Sequence, residues 1–314
     1  MSARSPRARH GAFVRGYFRF LEGRGVASAV LHGWEDAFED ELSDVDYVIE
    51  RPALGRVPAL VESYCREAGW RLCQVLRHEP TAVFCVCSAL DDPGTVVALD
   101  ACSDYQRNGI VMMTAEQLLE GRQALDGGGS RLSDAGELKY RLIKAAAKRK
   151  DPRQIGEELA GYPEPAWSEA GAWLRERWGV VLRDRSAGSV AEATMRLASR
   201  TRRRTGHLAI ASLGRVAGRL FNPSGLYVAM APGVDPSVAD SLLGTFRGLY
   251  FRRGRRAARL GPGELVGLVR STVFVSPRLG WLGRLACPRS CLFRLEADDP
   301  GDCLDQIAAF LHRR

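Results

Sequence analysis

The sequence predicts an α+β fold in three parts: a mixed-sheet domain over 1–126, a helical middle over 131–220 and a smaller α/β module over 221–314. Three observations carry that expectation. In the first part, β-type apolar runs alternate with amphipathic helical runs. The Gly-rich stretch GGGS at 127–130 reads as a flexible joint before a long helical pattern. After FNPSG the strand pattern returns, and GLYVAMAPG is its clearest buried run.

Composition limits the function classes. The chain has 314 residues, 46% hydrophobic and 26% charged, which suits packed cores rather than disorder. No apolar run approaches the ~20 residues of a membrane span. The basic start MSARSPRARHGAF is not followed by an apolar stretch and a small-residue cleavage site, so the expectation is no secretory signal and a cytoplasmic location.

The elements follow in order. HGAFVRGYFRFLEGR (10–24) sets apolar residues at 13, 14, 17, 18, 20 and 21, a helical face closed by Gly23 and Gly25. VASAVLHG is a strand, and the polar loop WEDAFEDELS leads to a second strand, DVDYVIE. VPALVESYCREAGW is a helix, and RLCQVLRHE, TAVFCVCSAL and TVVALDACS are three further strands, giving a sheet of about five. TAEQLLEGRQAL reads as a short helix capped by Thr114. DAGELKYRLIKAAAKRK (134–150) is a strong helix, and the pattern stays helical from Trp167 to about Leu220. SVADSLLGTFRGLYFRR is a helix, RSTVFVS and SCLFRLEA are strands, and CLDQIAAFLHRR is a last helix.

Eight cysteines include Cys85 and Cys87, which share one strand face, and Cys287 and Cys291, which flank PRS. Neither pair has partners at zinc-ligand spacing, so buried thiols are expected. Charge is uneven. Residues 196–314 hold 20 Arg, no Lys and eight Asp or Glu, a formal +12, while the first 195 residues carry −4. Such a surface suits a polyanion or an anionic membrane surface, and equally a solvated arginine-rich face.

The carboxylates of SDVDY stand out. On a strand, Asp44 and Asp46 point the same way and Val45 the other. Like charges held that close repel unless solvent or a cation intervenes. A hard ion such as Mg²⁺ suits them. Asp100 interrupts the apolar strand VVALDAC, where an unpaired charge is costly, and is a candidate third member.

LHGW (31–34), SDVDY (43–47) and ALDA (98–101) together form a strand ending in Gly, an acid-apolar-acid strand and a lone acid in an apolar strand. This arrangement resembles the nucleotidyltransferase superfamily that includes DNA polymerase beta. The resemblance implies a shared metal site: Asp44 and Asp46 hold two Mg²⁺ or Mn²⁺ ions, and Asp100 is the third ligand or the base. It implies a nucleoside triphosphate as second cofactor and a hydroxyl acceptor on a small molecule or glycan precursor. The family has a second small residue after Gly33. Here Trp34 stands there, to crowd a triphosphate, stack on a base or sugar, or pack into the core.

Basic residues near these segments are candidate phosphate contacts. Arg141, Lys144 and Lys148 recur at i, i+3 and i+7 on one helix face. Arg77 in LRHE and Arg107 in SDYQRNG are further candidates, and a solvated face explains each equally well. His32 precedes Gly33 at the rim.

A second resemblance lies at 225–246, GLYVAMAPGVDPSVADSLLGTF. Its strand, Gly-containing loop and helix resemble the P-loop of bacterial proteins, often found with polysaccharide genes, that join a nucleotidyltransferase-like front to a thymidylate-kinase-like back. The chemistry of the loop is missing. Ala239 stands for the phosphate-binding lysine, Asp240 for the Mg²⁺-binding hydroxyl, and Pro236 and Val238 for two glycines. The expectation is a degenerate, truncated kinase-like module without kinase activity. The whole chain is then either a nucleotidyltransferase with a scaffold behind it or a non-catalytic remnant that binds a polyanion, a membrane surface or a protein.

Overall fold

Helix α1 (Pro6–Gly23) buries the apolar face its sequence defines, with Phe13, Val14, Tyr17, Phe18, Phe20 and Leu21 all in the core. The computed structural model describes residues 6–33, 44–92, 95–107, 110–148, 152–200, 225–231, 234–235, 237–240, 242–243, 253–257, 272–276, 292–295, 302, 306–307 and 309–310. Strands β1 (Ser28–Val30) and β2 (Val45–Ile49) follow, then helices α2 (Arg51–Leu54) and α3 (Val57–Ala68). Gly69 ends α3 in the left-handed conformation, φ 72°. Next come β3 (Trp70–Glu79), β4 (Ala82–Ala89) and β5 (Val96–Cys102). The hairpin β6 (Tyr105–Arg107) and β7 (Ile110–Met113) leads into α4 (Ala115–Leu119).

The Thr114 expectation holds. Its hydroxyl accepts from the Gln117 N–H at 3.3 Å, and the Gln117 side chain accepts from the Thr114 N–H at 3.1 Å, a reciprocal cap. The helix is five residues long, however, and the rest of the expected helix is a turn and the short strand β8 (Gln123–Ala124).

GGGS is a turn rather than a joint. It links β8 to β9 (Ser130–Arg131), and the Leu125 N–H donates to the Gly129 carbonyl at 2.9 Å. Gly127, Gly128 and Gly129 have φ of 91°, 102° and 88° and lie against α1, where a Cβ on Gly129 would stand 2.7 Å from Phe18 Cβ.

The sheet therefore has seven strands, not five, in the order β3-β4-β5-β2-β1-β9-β8. It is mixed: β2 with β5 and β1 with β9 are parallel, and the other pairs are antiparallel. Strand parity divides its faces. One face carries Val30, Val45, Tyr47, Ile49, Val83, Cys85, Cys87, Val97 and Leu99 and is covered by α1 and α3. Cys85 and Cys87 are buried free thiols there, as their alternation predicts. On the same side the hydroxyls of Tyr17 and Tyr47 meet at 2.9 Å.

The opposite face has two coverings. Ala29, Leu31 and Val48 pack with the helical middle: α5 (Asp134–Lys148), α6 (Pro152–Leu159), α7 (Glu164–Trp178) and α8 (Ala187–Arg200). Gly156 permits the close α6–α8 approach, because a Cβ there would stand 2.9 Å from Ala187 Cα. Residues 201–220, expected to continue the helical pattern, lie outside the described residues. Farther along the same face, Cys73 and Val86 share a core with the C-terminal part.

That part contains β10 (Leu226–Met230), β11 (Arg253–Arg256), β12 (Thr272–Ser276) and β13 (Leu292–Leu295). All pairs are parallel, in the order β11-β12-β10-β13. β10, β12 and β13 lie where apolar runs predict strands. β11 starts at the last residue of an expected helix and was not itself expected. Among the described residues, no helix is long and apolar enough to cross a membrane.

Candidate functional site

Asp46 and Asp100 are Cα partners on the parallel strands β2 and β5, and both occupy the face opposite the α1–α3 core. Asp44 lies one residue before β2, not on it, and is exposed. The three still converge: each offers a carboxylate oxygen, and these atoms lie within 4.8 Å of one another. Three hard oxygen donors at this spacing fit Mg²⁺ or Mn²⁺.

Lys144, from α5, sends its ammonium into this cluster. Its Nζ donates to Asp46 Oδ2 at 2.9 Å and also contacts His32 Nε2. His32 lies just beyond β1, and its Nε2 is 3.1 Å from the same Asp46 oxygen. Burial pushes the Asp46 carboxyl up, but hydrogen bonding to His32 and the Lys144 charge outweigh it and hold it well below the usual carboxylate range. Tyr140 floors the group. Its ring stacks on His32 with centroids 5.9 Å apart, and Lys144 Nζ lies 5.3 Å from its centre. Burial, with Asp46 nearby, pushes the Tyr140 phenol well up.

The other candidates do not all converge. Arg141 turns away, pairing with Glu158 at 3.1 Å and with the Tyr162 hydroxyl at 3.4 Å. Lys148 is exposed near the end of α5. Arg77 and Arg107 sit on β3 and β6, but their side chains lie outside the described residues, as does all of Trp34. Gly33 has φ 63°, and a Cβ there would meet nothing within 4 Å, so the backbone angle rather than crowding selects glycine.

His32 and Tyr140 are the members that sequence reasoning underrated. Their one signal is position: His32 immediately precedes Gly33, and Tyr140 precedes Lys144 by one helical turn.

At the loop after β10, two carboxylates are engaged by neighbouring groups. The Ser237 N–H donates to Asp235 Oδ1 at 2.7 Å, which lowers the Asp235 pKa. Asp240 pairs with Arg256 of β11 at 2.5 Å. Gly233 and Pro236 of this loop lie outside the described residues. No protein-family model, curated protein or solved structure matches the chain.

Proposed function

We propose that this chain is a Mg²⁺- or Mn²⁺-dependent nucleotidyltransferase that moves a nucleotidyl group from a nucleoside triphosphate to a hydroxyl of a small molecule or glycan precursor. The carrying observation is the pairing of Asp46 with Asp100 across parallel strands, with Asp44 completing an acidic group within 4.8 Å. A bound metal would supply charge neutralisation at the attacking and leaving oxygens. Asp44, Asp46 and Asp100 would hold it. Asp100 would also accept the acceptor hydroxyl's proton as the new O–P bond forms and pyrophosphate leaves. Among the described residues, Lys144 is the basic side chain at this group, and it would contact the phosphates.

The parallel order β11-β12-β10-β13 supports reading the C-terminal part as a truncated kinase-like module, since it sets the second and third strands on one side of the first and the fourth on the other. Asp235 and Asp240 argue against phosphate binding there, so the module serves as scaffold. A second reading, a non-catalytic remnant that binds a polyanion, membrane surface or protein through its arginine-rich part, rests on the formal +12 of residues 196–314.

Thermal melts with Mn²⁺ and each of the four nucleoside triphosphates test the first reading. A rise in Tm with at least one triphosphate is expected, and Asp46→Asn with Asp100→Asn should abolish it. No rise with any triphosphate sinks the transferase reading. Retention on heparin or anionic vesicles that weakens steeply with salt is the outcome expected of the second.

A further inference from the structure

We propose that Lys144 is a resident counter-cation: it neutralises Asp46 while the carboxylate site holds no metal, and metal entry requires it to leave. Metal binding and lysine release are then one event. This rests on reading the three carboxylates as a metal site, but not on the transfer reaction.

The geometry sets the conflict. Lys144 Nζ lies 2.9 Å from Asp46 Oδ2, an oxygen of the acidic group itself. A divalent ion bound at the usual ~2.1 Å from that carboxylate would stand within a few ångströms of the ammonium. Two cations that close in a partly buried site repel strongly. Both side chains are screened from solvent, with Lys144 15% and Asp46 23% exposed, so water does little to relieve the repulsion.

Only the lysine side chain has to move. Its helix is anchored by Leu138, Leu142 and Ile143, all buried in the core under the sheet. His32 supplies the replacement contact. Its Nε2 either accepts from Lys144 or donates to Asp46, never both at once. Once the lysine leaves, donation to Asp46 orients the carboxylate for the metal.

Composition adds an independent observation. The chain has 41 Arg but four Lys, all between 139 and 150. A compact ammonium on a flexible stem fits beside a carboxylate and withdraws; a planar guanidinium fork holds two oxygens and does so less readily. The freed ammonium is then available to an anionic substrate.

Two measurements on the full chain, without nucleotide, test this. The first titrates Mn²⁺ into wild type and Lys144→Met, following free Mn²⁺ by electron paramagnetic resonance. The variant should bind roughly tenfold more tightly. The second uses wild type alone and so does not depend on the variant folding. Limiting acetylation, quantified by mass spectrometry, should modify Lys144 severalfold faster when Mn²⁺ is added, while Lys139, held 2.6 Å from Glu169, stays constant. Equal Mn²⁺ affinity in the two proteins, or a Lys144 acetylation rate indifferent to bound Mn²⁺, overturns the counter-cation and leaves the metal site standing. Absence of Mn²⁺ binding at millimolar concentration in both proteins overturns both.

Discussion

At Asp46, burial raises the carboxyl's pKa, while His32 and Lys144 lower it by more. The sign of the pH dependence follows. A depressed folded-state pKa contributes stability in full above the unfolded value of about 4, and that contribution is lost as pH falls through the folded value. In metal-free buffer, Lys144→Met should therefore cost about 1.5–3 kcal/mol at pH 7, the range for a hydrogen bond to a charged group. The gap between wild type and variant in urea melts should close as the pH drops below about 4. A gap that is constant with pH would mean that Lys144 contributes by packing alone. At this scale the sequence was informative where strand parity or register decides. Asp46 and Asp100 could be read from alternation, since an acid in a buried strand must face something polar. Arg141 could not, because its partners Glu158 and Tyr162 come from α6 and the loop after it, whose docking no local period encodes. Asp44 joined the group from the residue before the strand.

The long elements were legible because their periods are long. α1, α3 and α5 each repeat an apolar face over three turns or more, and β3, β4 and β5 carry seven to ten residues of strand. Strands of two residues have no period to detect. β8 and β9 therefore hid inside an apparent helix end and a glycine run, although Gly127–Gly129 has a packing reason. The two kinds of glycine should separate by mutation. Gly33→Ala meets open space and bears only the left-handed strain of about 1–2 kcal/mol. Gly129→Ala bears that strain and also drives a methyl against Phe18 Cβ, so its loss in urea melts should be clearly larger. Equal losses would show that the turn yields to its neighbour. β11 was missed for another reason: RGRR lacks the apolar and β-branched residues that announce a strand, and its pairing with β12 overrides that propensity.

Across the molecule, the acidic group lies on a sheet face with two coverings. The helical middle packs over Ala29, Leu31 and Val48, and the parallel sheet shares a core with Cys73 and Val86. Asp46 and Asp100 sit on β2 and β5, neighbouring strands inside the seven-stranded sheet. The C-terminal module thus acts as a structural partner of the site-bearing sheet, which predicts coupled unfolding. Val86→Ala should lower stability by about 1–3 kcal/mol and shift tryptophan fluorescence and far-UV circular dichroism melts together. Two separated transitions would show that the module unfolds by itself. The arginines of β11 suggest a different use for the basic surplus. Among the described residues this strand is an edge of the parallel sheet, and Arg255 and Arg256 are exposed along it. An open strand edge is a template on which another chain can pair and aggregate, and like charges along it repel a second copy. The guanidinium of Arg255 therefore counts against edge-to-edge pairing with a second copy, while that of Arg256 is matched by Asp240.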